Sequence, residues 1–296
     1  MGFDRFAAKH AARESMRLNN PNPILVTLAY LALTTLLSVA ISYLLYDPTT
    51  EIIQYATWGY EAEEILEFIL REHQRDLYLL GGVQFLFSFY SLFMSFGYTS
   101  YALRMARNEQ PGIRHLFDGF ARPLRVLWAS ILMDLFTLLW TLVVVLPVGI
   151  ILALAQVEML DAVSIVFTVG LLAMIVANYR YRLTYYFILD DPDCTARGAV
   201  RRSKTAMRGW KWSLFALDFS FFGWMLLSAL LGSLLSWFLP VVITDVLAFW
   251  ILPYREASEA NFYDAITGPS QPSGGYAGPD YDYHAKNEDG DGPQPF

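Results

Sequence analysis

ILVTLAYLALTTLLSVAISYLL, residues 24–45, runs for 22 positions without a charged side chain. As a helix rising about 1.5 Å per residue it is about 33 Å long, enough to cross a hydrocarbon core of about 30 Å. The apolar core of a signal peptide is shorter, about 7 to 15 residues, and is followed by a small-residue cleavage site that this stretch lacks, so the segment is expected to stay in the protein. Comparable windows follow at 77–103, 126–155, 162–178 and 214–239, the third and fifth each interrupted by one acid, Asp134 and Asp218. Residues 241–254 (VVITDVLAFWILPY) are too few to cross unless the helix continues past Pro253, so a sixth span is expected there only on that condition.

Composition agrees with these windows. The 296 residues are 55% hydrophobic and 17% charged, where a soluble globular domain carries about 25% charged residues. The expected fold class is all-α: an integral membrane bundle of about six transmembrane helices with amphipathic helices at the cytoplasmic interface. Three regions follow: an N-terminal interfacial helix at 1–22, a polytopic membrane domain at 23–264 with an acidic external loop at 46–76, and an acidic tail at 265–296. The tail, rich in Gly, Pro, Tyr and Asp and without apolar periodicity, reads as disordered. The single cysteine, Cys194, excludes an internal disulfide, and histidines at 10, 73, 115 and 284 have no metal-ligand spacing. Met1-Gly2 is followed by Phe6 where an N-myristoylation motif needs Ser or Thr.

Orientation comes from the basic residues, which accumulate in cytoplasmic loops. Sorted by the segments between spans, 19 of the 21 Lys and Arg fall in the segments that share a side with the N-terminus and the tail, and only Arg71 and Arg75 fall on the other side. Both termini are therefore expected in the cytoplasm. The net charge of −7 conceals this. The loop at 46–76 holds eight acids against two basic residues and the tail five against one, which leaves the rest of the chain positive. A positive-inside face beside an anionic leaflet accounts for that surplus without nucleic acid.

Residues 195–211 (TARGAVRRSKTAMRGWK) place Arg197, Arg201, Lys204, Arg208 and Lys211 at steps of four, three, four and three, one basic stripe on a helix, with Ala196, Ala199, Val200 and Ser203 on the other side. Such a helix is expected to lie on the membrane with its cations toward anionic headgroups. Residues 3–18 and 113–124 read similarly but more weakly, suggesting a unit of surface helix, span and return span used three times. Residues 61–75 form a short amphipathic helix outside. Gly81, Gln84, Ser88, Ser91, Ser95 and Thr99 in the second span, and Ser130, Asp134, Thr137 and Thr141 in the third, make polar stripes that should face other helices. Asp134 and Asp218 are candidate intramembrane acids, since a carboxylate at membrane depth costs about 2.5–3.5 kcal/mol. Placed near the inner interface beside a cytoplasmic arginine, they would instead be structural. Pro147 should end or kink the third span.

No phosphate-cradling glycine loop, HExxH, GxSxG or histidine pair occurs, so neither an enzyme nor a cofactor is expected. Several strings do resemble a known family: residues 8–19 (AKHAARESMRLN), 115–120 (HLFDGF), 186–193 (YFILDDPD), 199–224 (AVRRSKTAMRGWKWSLFALDFSFFGW) and 251–266 (ILPYREASEANFYDAI). These are similar to bacterial polytopic membrane proteins catalogued as domain-of-unknown-function family 975. The resemblance implies a multi-span protein of a bacterial plasma membrane and no catalytic residue. The chain departs from the family pattern between 230 and 254, where a compact glycine turn gives way to a longer apolar stretch with Pro240 and Asp245. The expected function is a non-enzymatic lipid-contacting scaffold or sensor using the basic stripe; the alternative is a permease or channel whose path is lined by Asp134 and Asp218. Membrane lipids with anionic headgroups are the expected partners, and the sequence does not decide between a further protein partner and a homo-oligomer.

Overall fold

Asp4 accepts hydrogen bonds from the backbone N–H groups of Phe6 (2.8 Å) and Ala7 (3.2 Å), satisfying donors that a first helical turn leaves free. It starts α1 (Arg5–Leu18). Asn22 caps α2 (Pro23–Leu31) in the same way, with Pro23 at the first position, where its missing N–H costs nothing. A π-helical stretch, Ala32–Leu36, joins α2 to α3 (Leu37–Leu44). There follow α4 (Thr49–Thr57), α5 (Ala62–Glu72), α6 (Gln74–Ala106), a 3-10 turn at Ile113–Phe117, α7 (Asp118–Ala121), α8 (Pro123–Leu154), α9 (Met159–Tyr179), α10 (Thr184–Asp190), α11 (Ala196–Ala206), α12 (Lys211–Ser236) and α13 (Ala248–Thr267). The structure is a computed structural model that describes residues 3–45, 48–236 and 247–268, and among these the chain is all-helical with no strand.

Among the described residues, five helical stretches are long and apolar enough to cross a membrane: Pro23–Ile41, Gln74–Ala106, Pro123–Leu154, Met159–Asp190 and Lys211–Leu235. They match the five windows read from hydropathy. The conditional sixth span falls partly on residues 241–246, outside the described residues, as does the tail from 269 onward. Its remaining portion opens α13, whose Ile251, Pro253 and Tyr254 are buried in protein. Pro147 does not end its helix, since α8 continues to Leu154. The helix expected over 61–75 forms as α5, with Ile65 and Ile69 buried and the Glu61 backbone N–H donating to the Glu64 carboxylate at 3.3 Å.

Burial divides the molecule into two ends. In α6 no residue before Met94 is buried, whereas Met94, Phe96–Leu103 and Met105 are. In α8 only Val126, Ala129 and Leu132, all in its first third, are buried, and in α9 only Ala177, near its last turn. At 33 and 32 residues, α6 and α8 are each about 50 Å long, some 20 Å more than a hydrocarbon core requires. The packed end occupies that excess. Its centre is α13, where Ala257, Ala260 and Phe262 are fully buried and α1, α2, α6 and α12 pack around them. Phe3 meets Phe262 edge-on at 4.8 Å, Tyr186 stacks on Tyr263 at 5.0 Å, and Phe221 meets Tyr254 edge-on at 5.1 Å.

Two glycines let the backbone between α6 and α8 lie directly on α6. A Cβ at Gly97 would sit 1.8 Å from the Leu116 carbonyl oxygen, and one at Gly119 would sit 2.2 Å from that of Phe93. No other residue permits these approaches. Ser100 reinforces the contact, its hydroxyl donating to Asp118 Oδ2 at 2.6 Å.

Candidate functional site

The packed end holds its acids in ion pairs. Glu256 and Glu259 lie three residues apart on α13 and are 9% and 2% exposed. Arg182, in the turn between α9 and α10, donates from Nε to Glu259 Oε1 at 2.8 Å and from Nη2 to Oε2 at 2.9 Å, the bidentate geometry that suits guanidinium to carboxylate. Arg255 donates from Nη2 to Glu256 at 2.9 Å. At the far side of the same end Arg107, which caps α6, bridges two acids, Asp190 (2.6 and 3.1 Å) and Asp264 (2.6 and 3.2 Å), while the Tyr263 hydroxyl donates to Asp190 at 2.7 Å. Burial alone would lower the pKa of Arg107, but the hydrogen bonds it donates to Asp190 and Asp264 outweigh it and hold the guanidinium charged. Burial, then the bond to Asp190, raises the Tyr263 hydroxyl pKa and keeps that donor protonated.

Beside these pairs lies a polar cleft of about 260 Å³, lined by Ser95 and Thr99 from α6, Ser130, Asp134 and Thr137 from α8, Arg182 and Tyr186 from the α9–α10 region, and Arg255, Glu256 and Glu259 from α13. The inner parts of both polar stripes converge here. Gly81, Gln84 and Ser88, farther along α6, are exposed instead. Two buried polar atoms at the cleft, the Tyr186 hydroxyl and Arg255 Nε, have no hydrogen-bond partner among the described residues. The two acids expected at membrane depth, Asp134 and Asp218, are not brought together. Asp134 is exposed at the cleft, with no basic side chain within 4 Å among the described residues. Asp218 lies outside the lining and accepts a hydrogen bond from the Tyr179 hydroxyl at 2.8 Å.

The basic stripe is interrupted. Thr195 caps α11, its hydroxyl accepting from the Gly198 N–H at 3.1 Å, and the helix ends at Ala206. Gly209 then adopts a φ of +83°, a left-handed conformation that no helix continues through. Arg197 and Arg201 are exposed on α11, Lys204 is half-buried on its last turn, Arg208 is exposed beyond its end, and Lys211 is half-buried at the first residue of α12. None of the five has an acid within 4 Å among the described residues. The opposite face, Ala196, Ala199, Val200 and Ser203, is buried, and the first three pack in one cluster with Val126 and Ala129 of α8. That face rests on protein. Arg125 donates to the Pro192 carbonyl, and the Ser203 hydroxyl donates to the Arg180 carbonyl at 3.3 Å, so α11 stands alongside the first turns of α8.

Sequence reading passed over Arg182, Arg255, Glu256, Glu259 and the Arg107 bridge. The available signal was local: two acids three apart in a segment otherwise rich in Ala, aromatic and aliphatic residues, which a buried helix tolerates only when each acid is paired.

Among the described residues the chain is all-helical with five apolar helices of membrane-crossing length, and that defines the class, a protein compatible with multiple passes through a membrane. The chain belongs to the family described as "Protein of unknown function (DUF975)", whose model matches residues 1–270. No curated protein and no solved structure matches it.

Proposed function

We propose that this is a multi-pass bacterial plasma-membrane protein, non-enzymatic, with both termini and the packed end in the cytoplasm, which engages anionic headgroups of the inner leaflet as a lipid-contacting scaffold or sensor. One observation carries this reading: the packed end pairs four inward acids, Glu256, Glu259, Asp190 and Asp264, each against an arginine, and leaves Arg197, Arg201 and Arg208 outward with no acid within 4 Å among the described residues. The outer field of that end is therefore positive where the positive-inside rule puts an anionic leaflet. The membrane slab falls on the stretches of α6, α8, α9 and α12 that bury little, so Asp134, two positions beyond the last buried residue of α8, sits at the inner boundary. A cytoplasmic tail requires a sixth crossing after α12, whose inner part is the start of α13, where Trp250 and Tyr254 pack on Trp224 and Phe221; α1 lies at the interface, where Lys9 approaches the Ser220 carbonyl at 3.4 Å and the Phe221 ring at 4.2 Å.

A cation near an anionic surface gains about 1 kcal/mol, and the gain decays over a Debye length of about 8 Å. Purified protein exchanged into mixed micelles of phosphatidylglycerol and phosphatidylcholine should therefore retain the anionic lipid in excess, as counted by mass spectrometry of bound lipid. Replacing Arg197, Arg201, Lys204 and Arg208 together by Gln should reduce that excess severalfold, as should high salt. The cleft supports the second reading, a path for a small cation or proton past Asp134. In the same measurement Asp134→Asn should leave lipid retention unchanged. Unaltered retention in the four-residue variant, with Asp134→Asn abolishing a cation- or proton-dependent uptake in cells, would replace the lipid reading by the permease reading.

A further inference from the structure

Farther along α8 and α9 from the polar cleft lies a groove of about 470 Å³ whose walls are apolar, among them Val169, Leu172 and Val176, and whose inner end is closed by Trp140, Arg180 and Lys211. Two features of that end are unusual. The Arg180 guanidinium lies 4.6 Å from the centre of the Trp140 ring, which fixes it over the groove mouth rather than leaving it free in water. Lys211 lines the same end of the groove as Arg180, and neither has an acid within 4 Å among the described residues. A pair of adjacent cations at the edge of a hydrocarbon slab is unfavourable unless an anion sits between them.

The groove's length sets what that anion is attached to. From Val169 to Arg180 is eleven residues of helix and turn, about 16 Å at 1.5 Å per residue, close to half of a hydrocarbon core of about 30 Å. A groove one leaflet deep, apolar along its walls and doubly cationic at its inner mouth, is complementary to one acyl chain carrying a phosphate. We infer that it is a site for a single anionic phospholipid of the inner leaflet, with one chain between α8 and α9 and the phosphate on Arg180 and Lys211. A zwitterionic lipid fits less well, because its quaternary ammonium would bring a third cation to the same mouth. This deepens the lipid-contact reading above by naming a discrete site, but it uses residues other than the exposed Arg197, Arg201 and Arg208, so the two stand or fall separately.

Native mass spectrometry of the full chain, titrated with dioleoylphosphatidylglycerol, dioleoylphosphatidylcholine, dihexanoylphosphatidylglycerol or inorganic phosphate, tests it. One dioleoylphosphatidylglycerol per chain should survive activation that strips all other lipid, with the short-chain lipid and inorganic phosphate failing to displace it. Arg180→Gln with Lys211→Gln should weaken this one lipid roughly 30-fold, about fivefold for each headgroup cation removed. Arg180→Lys with Lys211→Arg should keep it, which separates charge from any loss of folding. Gln at 197, 201 and 208 should leave it in place while depleting the looser, salt-sensitive anionic lipid. Loss of the retained lipid in the 197/201/208 variant and not in the 180/211 variant would overturn the groove site and leave the basic face as the only lipid contact. Equal retention of phosphatidylcholine, or displacement by inorganic phosphate, would also overturn it. No preference for the anionic lipid in any variant would remove both readings together.

Discussion

Arg182→Met should lower the stability of the detergent-solubilised protein by about 3–5 kcal/mol, the loss typical of removing one partner of a buried ion pair. Glu259 is 2% exposed and both its oxygens are occupied by Arg182, so the variant leaves a nearly buried carboxylate without the two bonds that satisfy it. For a chain of this size the melting midpoint, followed by circular dichroism, should fall by roughly 10 °C. Arg182→Met combined with Glu259→Met should recover most of the loss, because two apolar side chains of similar length demand no pairing. A double variant no more stable than Arg182→Met would show that the pair holds up the surrounding cleft and not only itself. An Arg182→Met protein that melts like the parent would contradict the burial of Glu259 altogether.

Gly97→Ala should be as damaging, for a steric reason. The added methyl would meet the Leu116 carbonyl at 1.8 Å, and backbone in a short 3-10 turn cannot yield as a flexible side-chain tip can. Overpacking usually costs about 1–3 kcal/mol, and a contact with backbone this short belongs at or beyond the top of that range. Gly81→Ala on the same helix meets nothing within 4 Å and should be neutral or stabilise by up to about 1 kcal/mol through the better helix propensity of alanine. The comparison holds residue type and helix constant, so similar melting points for the two variants would remove the close approach of residues 113–121 to α6 from the account.

The spans were legible because a crossing helix depends mainly on its own residues: 22 uncharged positions at 24–45 need no partner to be read as membrane-length. The packed end was far less legible, because its logic is long-range. Glu259 is tolerable only because Arg182, 77 residues away, folds back onto it, and Asp190 and Asp264 are joined by Arg107 from a third segment. Read alone, 251–266 looks like the exit of a doubtful span, whereas it is the buried centre of the fold. The basic stripe shows the limit of periodicity. Spacing at four and three continues to Lys211, but the helix stops at Ala206, and Gly209 turns the chain so that Lys211 faces the α8–α9 groove with Arg180. The cleft was half legible, since the polar stripes of α6 and α8 were seen to need partners, yet only Ser95, Thr99, Ser130, Asp134 and Thr137 found a common one.

The account turns on which side of the membrane the packed, basic end occupies. Ala62, at the start of α5, and Arg197, on α11, are both exposed, lie at opposite ends of the long helices, and are accessible to a thiol reagent when replaced by Cys; the native Cys194 is buried and is removed as Cys194→Ser. In intact cells a membrane-impermeant maleimide should label Ala62→Cys and leave Arg197→Cys untouched until the membrane is permeabilised. Labelling of Arg197→Cys in intact cells, with Ala62→Cys protected, would place the basic end outside and contradict the proposed contact with the inner leaflet.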